Sequence, residues 1–151
     1  MARFRFALQP VLDLRQREED QRQKAVGELE QERLRIEDGL RRRQHSIARA
    51  REEVREGLVG SLDPNGLRSQ ANASLSLMRD AQRTVLELAG IHRRLEGARR
   101  DLQEASRRRR AMELLRDRRE SEWRRNLDRR EQAAIDELSM TRPRVSVLED
   151  P

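Results

Sequence analysis

Gly57-Leu58-Val59-Gly60-Ser61-Leu62-Asp63-Pro64-Asn65-Gly66 is the stretch that decides the fold. Two glycines followed by Asp63-Pro64 and Asn65-Gly66 are the strongest turn signals in the chain. Asp63 is suited to cap a new helix, and Pro64 to be its first residue, where a missing N–H costs nothing. The sequence before this break predicts a helix over 8–57, and the sequence after it a helix over 64–141. With 58–63 as the turn, the expected architecture is all-α. It has two long helices in an antiparallel coiled-coil hairpin, forming one domain over 1–141. Pro143 and Pro151 mark residues 142–151 as a disordered tail.

Composition supports helices with a narrow seam. Of 151 residues 41% are charged, 34% are hydrophobic and 2% aromatic. Such a chain cannot fill a thick core, but it can lay an apolar stripe along a helix and bury it against one neighbour. Helix formers dominate, and 34 basic residues nearly balance 28 acidic ones, which opposes disorder. No cysteine is present, so disulfides and thiolate metal sites are excluded. No apolar run approaches the roughly 18 residues of a membrane span, and Met1–Phe6 has no signal-peptide character. The expectation is a soluble intracellular protein.

The seams follow heptads. In the first helix Val26, Arg33, Leu40, Ile47 and Val54 fall on one line, and Leu29, Ile36, Arg43, Ala50 and Gly57 on the other. Residues 15–24 contain no apolar side chain and are helical by propensity and by Glu–Arg pairs three or four apart. In the second helix Leu67, Ser74, Ala81, Leu88, Leu95 and Leu102 form one line, with Ala71, Met78, Val85 and His92 expected on the other. After Arg99 the register is expected to drift onto Ala98, Ala105, Met112 and Leu115. Gly90 and Gly97 each cost about 1 kcal/mol against Ala, which fits a close approach or a bend.

The two helices are unequal, roughly 75 Å and 115 Å at about 1.5 Å per residue. Folding at Ser61 sets Leu8–Leu12 beside residues near 110–115, so the second helix overhangs. That overhang carries Trp123, Leu127, Ile135 and Leu138, apolar groups without a partner inside the hairpin, as expected of a binding surface. The lone Trp123 has two readings: contact with a partner, or packing against Phe4 and Phe6 of the chain itself.

Chemistry is sparse. His45 and His92 lie on different helices and make no ligand set, and no phosphate cradle or nucleophile motif is present. No catalytic residue, metal or cofactor is expected. Arg107-Arg108-Arg109-Arg110 is the sharpest phosphate-binding candidate. Successive helical residues point about 100° apart, so the four ring the helix and form no single patch.

Both ends resemble a known family. Phe4-x-Phe6-x-Leu8-Gln9-x-Val11-Leu12-Asp13-Leu14-Arg15, followed by Glu18-Glu19-Asp20, is similar to the opening of the flagellar FliJ family. Met112-Glu113-x-Leu115-Arg116-x-Arg118-Arg119 through Trp123 to Glu131, then Ile135-Asp136-Glu137-Leu138, resembles its closing segment. The resemblance spans essentially residues 3–140. It implies a non-enzymatic component of the bacterial flagellar type III export apparatus, similar to the γ stalk of rotary ATPases. The implied partners are the hexameric export ATPase, the cytoplasmic domain of the export gate and export-substrate chaperones. The implied location is the cytoplasm, peripherally at the inner face of the cell membrane at the flagellar base, without insertion. Partner-binding residues carried over to this chain are Phe4, Phe6, Leu8, Val11 and Leu12 from the opening. From the closing segment they are Met112, Leu115, Arg116, Arg119, Trp123, Leu127, Ile135, Asp136, Glu137 and Leu138.

Two alternatives remain from the residues themselves: a basic coiled coil associated with nucleic acid, and a generic oligomeric scaffold. A monomer or weak homodimer is expected, since two helices have little core. The net charge of +6 favours the nucleic-acid alternative, yet carboxylates alternate with the arginines along both helices. Duplex DNA binding should therefore be weak and salt-labile in a titration at two ionic strengths. Sub-micromolar, sequence-selective binding at physiological salt would establish the nucleic-acid alternative instead.

Overall fold

The computed structural model describes residues 3–61 and 63–141; the expected tail over 142–151 and Leu62 of the turn lie outside them. Two helices are present, α1 (Gln9–Gly57, 49 residues) and α2 (Pro64–Thr141, 78 residues), and the described residues contain no strand. α1 starts at Gln9 because Leu8 contributes only its carbonyl, which accepts from the Leu12 amide at 3.0 Å. Pro10 sits in that first turn, where its missing N–H breaks no bond. At the other end the Leu58 and Val59 amides donate to Arg55 and Glu56 carbonyls at 3.3 and 3.1 Å, tightening the last turn. Gly60 then takes φ +111°, a conformation that side chains resist.

Asp63 caps α2 as its sequence predicts. Its two carboxylate oxygens accept from the Asn65 and Gly66 amides, both at 3.1 Å, and its carbonyl accepts from Leu67 at 3.0 Å. One side chain thus satisfies two of the amides that a helix start leaves without partners.

The chain divides into two compact units, Arg17–Ser106 and the pair of segments Met1–Gln16 with Arg107–Pro151. Within Arg17–Ser106 the helices pack antiparallel. Ser106 donates to Glu19 at 2.6 Å, Arg22 meets Asp101 at 3.3 Å, Arg99 meets Glu30, and Arg94 meets Glu32 at 3.7 Å. Partner numbers fall on one helix as they rise on the other. The apolar-free region near residues 19–22 therefore still meets α2, through polar side chains. These pairs are largely exposed, so they fix register more than they add stability.

The α1 seam lies where the heptads put it. Val26, Arg33, Leu40, Ile47, Val54, Leu29, Ile36, Arg43 and Ala50 are all half-buried, and only Gly57 is exposed. Arg33 is tolerated there because its guanidinium pairs with Glu30 at 3.0 Å and Glu37 at 3.3 Å while its methylenes cover the seam.

One α2 line is as expected and the other is one residue off. Leu67, Ser74, Ala81, Leu88, Leu95 and Leu102 all turn inward, but Ala71, Val85 and His92 are exposed and Met78 is only half-buried. The second inward line is Leu77, Thr84, Ile91, Ala98, Ala105 and Met112. A line three residues after the first and one four residues after it both satisfy heptad spacing, so the residues must choose. Val85 beside Thr84 points the wrong way by hydropathy. Thr84 is 4% exposed because its hydroxyl donates to the Asp80 carbonyl at 2.9 Å and leaves nothing unpaired. Ile91 and Leu95, each 3% exposed, then anchor the seam. Ala98, Ala105 and Met112 simply continue this line, so the expected drift comes later than Arg99: after Met112 the next member, Arg119, is exposed, and Leu115 and Glu120 are half-buried instead. A Cβ on Gly90 or Gly97 would meet open space, so close approach to α1 is not their role.

The corrected register predicts unequal responses to truncation. Ile91→Ala should cost about 2–4 kcal/mol in urea denaturation followed by circular dichroism. Val85→Ala should change stability by about 0.5 kcal/mol or less, as expected of an exposed side chain. The reverse ranking would restore Val85 to the seam.

Candidate partner-binding site

The unit formed by the two chain ends holds the only aromatic side chains. Phe6 begins a tight turn in which its carbonyl accepts from the Gln9 amide at 3.1 Å, and α1 starts from that turn. Residues 3–5 before it are non-helical, and the arm they begin lies along α2. On α2 the inward line that begins at Leu67 reaches Trp123 eight heptads later, by way of half-buried Arg109 and Arg116. The arm delivers Phe4 to that indole, with ring centroids 6.0 Å apart and planes tilted by 51°. Tilted aromatic pairs of this kind attract beyond their burial alone.

Around the pair lies a cleft of about 330 Å³, lined by Phe4, Arg5, Phe6, Ala7 and Leu8 of the arm and Arg119, Glu122, Trp123 and Asn126 of α2. Of the two readings of Trp123, packing against the chain's own arm is the one observed. The expectation that Trp123 is unpartnered on an overhang is corrected accordingly. Trp123 and Leu127 are half-buried, and every residue from 128 to 140 is exposed. The overhang thus starts after Leu127, because the non-helical arm reaches further along α2 than a hairpin folded at Ser61 allows.

The remaining candidates divide by burial. Leu12 is buried at 6% exposure, and Met112, Leu115 and Arg116 are half-buried, so these four are mainly packing residues. Leu8 and Val11 keep about two-fifths of their surface, and Arg119 is exposed at the cleft wall. Ile135, Leu138 and Met140 stand well out on the overhang. Asp136 accepts from the Gln132 side-chain Nε2 at 3.0 Å, and exposed Glu137 follows it. Sequence reasoning missed Arg5, Ala7, Glu122 and Asn126 in the cleft and Met140 on the overhang. Glu122 and Asn126 flank Trp123 at −1 and +3, so they follow once Trp123 is placed on the inward line.

Charges here are largely neutralised locally. Arg124 pairs with Glu120 at 2.6 Å and Arg116 with Asp117 at 3.1 Å. In the four-arginine run, Arg109 is half-buried and meets Glu113 at 2.6 Å, and Arg110 reaches the same carboxylate at 3.7 Å. The run therefore presents no undivided cationic face. His45 and His92 are exposed, and among the described residues no cluster of three or more His, Cys, Asp or Glu is placed to hold a metal ion. No described helix is long and apolar enough to cross a membrane. What the cleft and overhang offer is aromatic and aliphatic surface edged by both signs of charge, the chemistry of protein recognition.

The family model described as Flagellar FliJ protein matches residues 4–147. No curated protein and no solved structure gives a match. The matched span runs from Phe4 of the aromatic pair past the last described residue of α2, and the chain belongs to the flagellar FliJ family.

Proposed function

We propose that this protein is a non-enzymatic, stalk-like component of the flagellar protein export apparatus. The unit that holds the Phe4–Trp123 cleft would enter the hexameric export ATPase. The family match over residues 4–147 carries the proposal. The site adds support: the arm and α2 form an aromatic cleft around Phe4 and Trp123, and residues 128–140 of α2 beyond it are exposed. Ile135, Leu138 and Met140 supply apolar contacts on the projection. Arg119 at the cleft wall meets acidic loops of the ring, speeding encounter more than tightening the complex. The cytoplasmic domain of the export gate and the export-substrate chaperones are the other partners proposed. The working location is the inner face of the cell membrane at the flagellar base.

Trp123 is the anchor to test. Truncating a buried tryptophan at an interface commonly costs about 2 kcal/mol or more, roughly a thirtyfold loss of affinity. Trp123→Ala should weaken ATPase binding by about that factor and reduce stimulation of ATP hydrolysis. Trp123→Phe should retain much of both, because it preserves an aromatic contact for Phe4. Circular dichroism of each variant separates lost binding from lost folding. Full binding and stimulation by a folded Trp123→Ala protein would remove this end from the ATPase contact.

A further inference from the structure

Within Arg17–Ser106, α2 carries a second heptad stripe that is exposed except at half-buried Met78. Ala71, Leu75, Met78, Gln82, Val85 and Ala89 alternate in steps of four and three along its outer side. Leu75 and Val85 are each 51% exposed, and the adjoining Leu86 is 73% exposed. The stripe is not a flat surface. Leu40 and Gln44 of α1 rise beside Ala81, Gln82, Val85 and Leu86 to make a groove of about 500 Å³. Steps of four and three are what knobs-into-holes packing against another helix requires. From Ala71 to Ala89 the stripe is about 27 Å long, room for a partner helix of about five turns.

Charge selects the occupant. Residues 40–94 hold 11 arginines against six carboxylates, a net of +5 in a chain of net +6, with Arg42 and Arg94 paired to Asp38 and Glu32 just outside the stretch. Arg79 and Arg83 on α2 and Arg41 and Arg51 on α1 are exposed along this part of the two helices. A second copy of the chain meeting this face through a two-fold axis would set arginine against arginine. We infer that the groove docks an amphipathic helix with an apolar stripe and acidic flanks, supplied by another protein. This site is separate from the Phe4–Trp123 end and does not depend on what that end binds.

The probe is a fluorescein-labelled, 20-residue designed helix with leucines on the heptad positions and glutamates on the flanks. A twin peptide carries lysines in place of the glutamates. Fluorescence anisotropy with the full chain should show the glutamate peptide binding about tenfold or more tighter than the lysine peptide. Val85→Gln with Leu86→Gln should weaken it about tenfold, since both side chains lose apolar burial, with ellipticity and melting temperature unchanged. Arg79→Glu with Arg83→Glu should invert the preference between the peptides, and Trp123→Ala should leave binding intact. Three results would overturn the inference: equal binding of both peptides, undiminished binding by the Val85/Leu86 variant, or no binding at all. Self-association in sedimentation equilibrium that the same variant abolishes would assign the groove to a second copy instead.

Discussion

Everything in this molecule depends on how little there is to bury between two helices. Among the described residues only Leu12, Ile91, Leu95 and Ala105 are buried apolar side chains, with Thr84 the one buried polar residue. A globular domain tolerates a misplaced residue because many others hold the core. Here each of the two inward lines of α2 is one side chain wide, and moving the second by a single position would exchange Ile91 for His92. The cross-helix pairs supply what the seam lacks. Ser106 with Glu19 and Arg22 with Asp101 are weak individually, but each fits one alignment of the helices.

The same scarcity explains the surface. A helix whose inward stripe is narrow keeps most of its circumference for other uses, and α2 uses it in two ways. Between Ala71 and Ala89 it bears a second apolar stripe beside the first. Beyond Leu127 every residue from 128 to 140 is exposed. Between those regions Arg109 and Arg110 both reach the Glu113 carboxylate. Both regions expose large apolar side chains, as do Leu14, Leu34, Leu58, Val59 and Leu114 elsewhere.

Much of this was legible from residue spacing. The Asp63 cap, the α1 seam and the inward Leu67–Leu102 line all follow from helix chemistry and period alone. The second α2 line was not, since heptad spacing allows Thr84 or Val85 and hydropathy prefers the wrong one. Only the bond from the threonine hydroxyl to the Asp80 carbonyl shows why the polar residue is inside. The aromatic cleft was legible by half. Phe4, Phe6 and Trp123 stood out in a chain nearly free of aromatics. The reach of the arm did not, because a non-helical segment has no period from which to count its register.

The antiparallel alignment within Arg17–Ser106 is the claim on which the seam, the groove and its stripe all rest. The chain has no cysteine, so engineered thiols report without background. Glu19→Cys with Ser106→Cys places thiols where side chains now hydrogen-bond at 2.6 Å. Glu19→Cys with Arg99→Cys is a control shifted by one heptad, roughly 10 Å along α2. A short thiol-reactive cross-linker should join the first pair within one chain rapidly and the second slowly or not at all. Equal rates for both pairs, or faster closure of the Arg99 pair, would contradict the alignment.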